Sequence, residues 1–216
     1  AAQSKLGDTS GDTQLLDVVN GCIGNLPLRV ASVLGLPVGT VHLDMWKTTV
    51  NSTTTAGAGN LVVASGSSNL DLPNDYDAAV SWYDRTNTRP IYPIVEVARW
   101  HRDLKERPAG EAATKYIEIR DYYTGGSSTW RRRATLYPAV QSGITPSIEL
   151  VYWRLPAAMP GTTPSAEYPD LQPQFQWLAV FEPIVHLMRE DDPKYQDYLT
   201  WSTGLLKGLA ATAMAA

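Results

Sequence analysis

Cysteine and phenylalanine are almost missing from this chain, whose 216 residues include one Cys and two Phe. A single cysteine excludes an internal disulfide and a cysteine-based zinc cluster. Cys22 sits in an apolar helical pattern and reads as a small buried thiol. No apolar run approaches the roughly 18 residues of a membrane span, and no signal-peptide pattern is visible. A soluble protein made inside a cell, with no membrane partner, is therefore expected. The glycine motifs that cradle phosphates, G-x-x-x-x-G-K-[ST] and G-x-G-x-x-G, are absent, as is the G-x-S-x-G elbow. A concentrated basic face is lacking too. The net charge is −4, and although residues 81–135 carry 11 Lys+Arg against 7 Asp+Glu, residues 136–216 carry 4 against 8. Neither segment resembles a stable nucleic-acid binder.

The hydrophobic fraction is 44% and the charged fraction 19%, so most of the chain is expected to fold around a sizeable core. The aromatics are seven Trp and eleven Tyr. Such side chains combine apolar area with a polar handle, which suits interfaces as well as cores.

The pattern predicts a flexible start over residues 1–12. Asp12 or Thr13 then N-caps a helix over 13–35, interrupted near Pro27. From 38 to 155 the chain reads as β-rich, with short strands broken by Gly and Ser turns. A short helix is expected after Pro93, and a hairpin through the GGSS turn joins KYIEIRDYY to TWRRRATLYP. In SIELVYWRL, Ile148, Leu150 and Tyr152 fall on one face. Five prolines in residues 156–174 make an extended link. Two helices follow over 175–209, the first with Pro183 inside it and the second opening at Asp192 and Pro193. Residues 210–216 are read as a mobile tail. The expected class is α+β: terminal helices forming a helix bundle with an inserted antiparallel β-rich region, the whole of 13–209 making one domain.

No catalytic, cofactor-binding or metal site is expected. His186 and Glu190 lie four apart on a helix, but nothing nearby supplies further ligands. His42 with Asp44, on a presumed strand, and Glu96 with His101 can be cast as acid–base pairs, yet surface residues often fall at such spacings. Asp71, Asp75 and Asp77 lie close in sequence, and a sugar-cleaving site would need two such carboxylates facing across a cleft. The sharpest charged feature is Arg131, Arg132 and Arg133 beside Trp130. These four are candidate subunit contacts. A strand with alternating Arg also simply keeps one face wet, and contact with DNA phosphates is the less favoured reading.

Four features in order resemble the head-to-tail adaptor, or connector, family of tailed bacteriophages. They are an N-terminal helix (QLLDVVNGCIGNL); an LPxDY turn at Leu72, Pro73, Asp75 and Tyr76; the strand pair ATLYPAV and IELVYWRLP; and the link YPDLQPQF leading into a long helix and then a second one. The stretch before the LPxD turn, GNLVVASGSSNLDLP, is longer than the family pattern. The resemblance spans roughly residues 13–209. It implies a structural protein without enzymatic activity or cofactor, located in the virion neck between capsid and tail after assembly in the host cytoplasm. Its implied partners are the portal protein, a downstream tail or neck protein, and itself as a dodecameric ring. DNA only passes through the channel, whose lining is expected to be neutral or acidic. The resemblance also places Tyr198, Trp201, Leu205, Leu206 and Leu209 at the portal contact, although the same residues could equally complete the protein's own core. A stopper, tail-completion or baseplate protein is the alternative, and a carbohydrate-binding or degrading tail module a more distant one.

Overall fold

The computed structural model describes residues 9–37, 41–57, 59–63, 67–94, 115–124, 129–140, 144–159 and 170–214; the side chains of residues 9–13, 122–124, 129–131, 213 and 214 are outside the description. The helix expected after Pro93, the GGSS turn and most of the proline-rich link also lie outside the described residues. The chain divides into two compact units, residues 47–154 and residues 1–46 with 155–216.

The first unit is a closed barrel. Its strands are β1 (Lys47–Thr53), β2 (Leu61–Val63), β3 (Asn69–Asp71), β4 (Tyr76–Asp84), β5 (Arg89–Pro93), β6 (Tyr116–Thr124), β7 (Thr129–Tyr137) and β8 (Ile148–Arg154). Around the barrel they run β1-β2-β3-β7-β6-β5-β4-β8, and β8 returns to pair with β1. Alternation along each strand sends every second residue inward. Ile148, Leu150 and Tyr152, which alternation places on one face, are all buried, and they meet Leu61, Val63, Leu70, Ile117 and Leu136 in one core. Burying each such aliphatic side chain contributes about 1.5–3 kcal/mol. The β4–β5 turn is tied by Asp84, a buried carboxylate whose two oxygens accept from the backbone and side-chain nitrogens of Asn87 at 3.0 and 2.7 Å. Register shifts in the β4–β8 ladder between Tyr76 and Ala78 and between Ala79 and Ser81 increase its local twist.

This architecture corrects the expected fold class. The β-rich segment is not an antiparallel insertion carried by a bundle of terminal helices. Among the described residues it is an eight-stranded barrel closed on itself with its own core, accompanied by four α-helices, and two of its ladders, β1–β2 and β5–β6, are parallel. Periodicity reports strands and neighbouring hairpins. Closure depends on β1 pairing with β8, as in Lys47 opposite Trp153, a contact across about a hundred residues that no local pattern encodes.

The second unit is helical: α1 (Thr9–Gly24), α2 (Leu26–Leu34), a 3₁₀ turn at Asp44–Trp46, another at Pro173–Phe175, α3 (Leu178–Leu187) and α4 (Tyr195–Met214). The first helix breaks at Asn25, and Pro27 falls in the opening turn of α2, where its missing N–H has no partner to lose. Gly35 closes α2 at φ 67°, a conformation glycine adopts without strain, and Leu36 N–H then reaches the Ala31 carbonyl at 2.9 Å. Ile23, Leu26, Val30, Leu43, Trp46, Phe175, Leu178, Leu206 and Leu209 are among the residues that fill the core. The chain on either side of the proline-rich link is fastened to this body. The Asn20 amide exchanges two hydrogen bonds with the Met159 backbone, at 2.8 and 3.3 Å, and Trp46 Nε1 donates to the Asp170 carbonyl at 2.8 Å.

Candidate functional site

The helical unit leaves a group of aromatic rings on its surface. Trp177, just before α3, stacks on Phe181 with ring centroids 5.6 Å apart. Phe181 in turn meets Tyr198 at 6.1 Å and Trp201 at 5.6 Å on α4, and Tyr198 stands edge-on to Trp201 at 5.4 Å. Helical spacing produces the arrangement, since Trp177 and Phe181 are four apart and Tyr198 and Trp201 three apart. The cluster is not a core: Trp177 is 60% exposed and Trp201 52% exposed, with Val180 (43%) and Leu187 (58%) also open to solvent. Clustered large rings left in water are the residues that anchor protein interfaces. Exposed acids accompany them, namely Glu190, Asp191 and Asp192 in the α3–α4 connection and Asp197 on α4.

A groove of about 570 Å³ opens in the same unit, with Cys22, Arg29, Glu182, His186 and Glu190 among its lining residues. At its floor the Glu182 carboxylate is 6% exposed. It accepts from Arg29 Nε at 3.0 Å and from the hydroxyl of Ser202. Burial pushes the Cys22 thiol above its ordinary value; the Glu182 charge pushes the same way, and Arg29 opposes them. His186 and Glu190 both border the groove, but no group of three His, Cys, Asp or Glu side chains able to hold a metal occurs among the described residues.

The sequence candidates separate by burial. Of the proposed portal-docking residues, Tyr198 and Trp201 join the surface cluster, whereas Leu206 and Leu209 are 1% and 2% exposed in the core and Leu205 packs against it. Trp177 and Phe181 were missed. The signal that could have found them is their i, i+4 aromatic spacing. Among the proposed subunit contacts, Arg133 is held by Asp71 directly across the β3–β7 ladder at 2.8 Å. Arg132 donates to the Asp77 carbonyl at 2.7 Å, lies over the Tyr76 ring at 5.8 Å, and reaches Asp121 at 3.3 Å. Trp130 and Arg131 stand on β7 opposite Tyr123 and Tyr122, with their side chains outside the description. His42 and Asp44 do not share a strand, because Asp44 opens a 3₁₀ turn. Glu96 and His101 lie outside the described residues.

The two short motifs behind the family resemblance meet in the barrel. Asp75 of the LPNDY turn accepts the Tyr152 hydroxyl at 3.0 Å, Tyr76 and Tyr152 stack at 5.7 Å, and Tyr76 pairs with Arg154 across the β4–β8 ladder. Burial, reinforced by the Asp75 hydrogen bond and charge and opposed by Arg154, holds the Tyr152 phenol well above its usual value. Asp71 and Asp75 are thus both bonded to partners within the barrel wall rather than turned to a substrate. Residues 1–214 match the family model described as SU10 adaptor protein. The chain belongs to the SU10 adaptor protein family. It is accordingly a phage adaptor, a structural protein of a bacteriophage. No individually curated protein matches it. Among this adaptor's described residues, no helix is long and apolar enough to cross a membrane.

Proposed function

We propose that this adaptor is a non-enzymatic head-to-tail connector: a dodecameric ring beneath the portal that extends the DNA channel and presents a platform to the tail. The observation that carries the docking part is the Trp177–Phe181–Tyr198–Trp201 surface, which combines large exposed rings with a rigid two-helix base. Rigid aromatic anchors of this kind bury much area at low entropic cost. In this reading Leu205, Leu206 and Leu209 hold α4 in the body, while Tyr198 and Trp201 face the portal together with Trp177 and Phe181. Arg131, Arg132 and Arg133 with Trp130 remain candidates for contacts between copies. No cofactor takes part, DNA only passes through, and the site of action is the virion neck after assembly in the host cytoplasm.

The test is to mix the purified protein with the portal complex of its own phage and image the mixture by electron microscopy. A twelvefold collar on the tail-facing side of the portal is expected, lost when Trp177 and Trp201 are both changed to Ala. A bare portal, with the protein found at the distal tail of intact virions, would assign it to a stopper, tail-completion or baseplate role instead.

A further inference from the structure

We infer that the barrel is an inserted module that opens and closes independently of the helical unit, so that the aromatic surface on α3 and α4 stays formed when the barrel is lost. The chain crosses between the two units twice, at Trp46–Lys47 and at Arg154–Leu155. Each unit holds both ends of its own gap together. In the barrel, β1 is the first strand and β8 the last, and closure makes them neighbours. Lys47 stands opposite Trp153, one residue before the exit. In the helical unit a single residue gathers the two ends. Asp170 accepts the Trp46 Nε1–H at its carbonyl at 2.8 Å and the Ala157 backbone N–H at its carboxylate at 3.1 Å. The cores are separate as well. The barrel's core is drawn from residues 61–152, and that of the helical unit from both sides of the insertion, residues 23–46 and 171–210. Among the described residues, none belongs to both.

These features decide what one unit loses when the other opens. A barrel of about 100 residues has the size of an independent domain. If it unfolds, the helical unit keeps every member of its core and gains only a long loop, whose two ends Asp170 already holds. The entropy of closing a loop grows slowly with its length, so the longer loop is a small burden. If the helical unit unfolds instead, β1 and β8 remain paired with each other. A chain built around one shared core would open as a single cooperative block.

The experiment is hydrogen exchange of the full-length protein, read peptide by peptide in wild type, Leu150→Ala and Leu206→Ala. Leu150 is buried in the barrel core and Leu206 in the helical core. Leu150→Ala is expected to speed exchange in β6, β7 and β8 by about thirtyfold or more, with α2, α3 and α4 at wild-type rates. Leu206→Ala is expected to do the reverse. Ile148→Val, a milder change in the barrel core, should speed exchange there by about three- to tenfold and decides the matter if Leu150→Ala leaves no folded barrel. Protected helices beside a fully exchanging barrel would also support independence. If any of these variants speeds exchange in both units to the same extent, the chain opens as one block and the inference is overturned.

Discussion

Arg29 and Glu182 stand 153 residues apart in sequence, and the Arg29 guanidinium donates to the Glu182 carboxylate at 3.0 Å. The pair joins α2 to α3, and Ser202 of α4 adds a hydroxyl to the same carboxylate. Three helices thus converge on one buried charge. Removing the cation leaves that charge with a single neutral donor, a situation that costs more than losing an exposed ion pair.

Arg29→Ala is therefore expected to lower unfolding stability by about 1–3 kcal/mol, reduced from the fully buried case because Arg29 itself is half-exposed. The same change removes the one charge that lowers the Cys22 thiol, so alkylation of Cys22 in the folded protein is expected to slow. Urea titration and a timed thiol-labelling assay read the two effects. An unchanged midpoint would show that Glu182 finds another partner.

Burial separates the residues of α4 into two groups with opposite phenotypes. Leu206→Ala and Leu209→Ala should each cost about 2–5 kcal/mol by opening a cavity in the helical core. Trp201→Ala should cost under about 1 kcal/mol in the isolated protein and show its effect in binding to the portal. Parallel melts and binding curves decide it; severe destabilisation by Trp201→Ala would mean that the ring belongs to the core.

The raised Tyr152 phenol fixes the sign of an alkaline response. Below the ordinary tyrosine value of about 10, folded and unfolded chains both keep the proton, and stability from this group does not vary with pH. Above it the unfolded chain releases the proton while the folded chain retains it, so stability falls as pH rises. Tyr76 and Tyr137 are raised as well and act in the same direction. Tyr152→Phe should cost about 0.5–1.5 kcal/mol at neutral pH and make the alkaline loss shallower. Urea melts at a series of alkaline pH values test this, and an identical slope in the variant would refute the assignment to Tyr152.

Arg133 and Asp71 form a half-exposed cross-strand pair, for which about 0–1 kcal/mol is expected on substitution. If Arg132 and Arg133 serve contacts between copies, Arg132→Ala and Arg133→Ala should impair ring formation on the portal far more than they lower the melting temperature. Equal and small effects on both would confine these arginines to bracing β7 against its neighbours.

Local pattern was informative where one residue's neighbours in sequence decide its fate. The alternation in Ile148–Tyr152 put Ile148, Leu150 and Tyr152 on one face of β8, and Pro27 marked the break between the first two helices. It failed where distant segments decide. The pairing of β1 with both β2 and β8 turns a run of short strands into a barrel, and no period in residues 47–53 announces it. The docking candidates show the same limit. Leu206, Leu209, Tyr198 and Trp201 share one helix and comparable hydrophobicity, and only the packing of α4 against α2 and α3 decides which of them remain outside. The LPNDY and YWR motifs carried the resemblance as separate strings, whereas their joining through Tyr152 and Asp75 is a three-dimensional fact.

Among the described residues, β8 pairs with β1 on one side and with β4 on the other along nearly its whole length, so its backbone offers no edge on which a strand from another molecule can add. An open edge there would invite backbone pairing between copies and growth into fibres. Along β8, therefore, another molecule can be recognised only through side chains. Contacts of that kind can be made reversible, and they can be tuned one residue at a time.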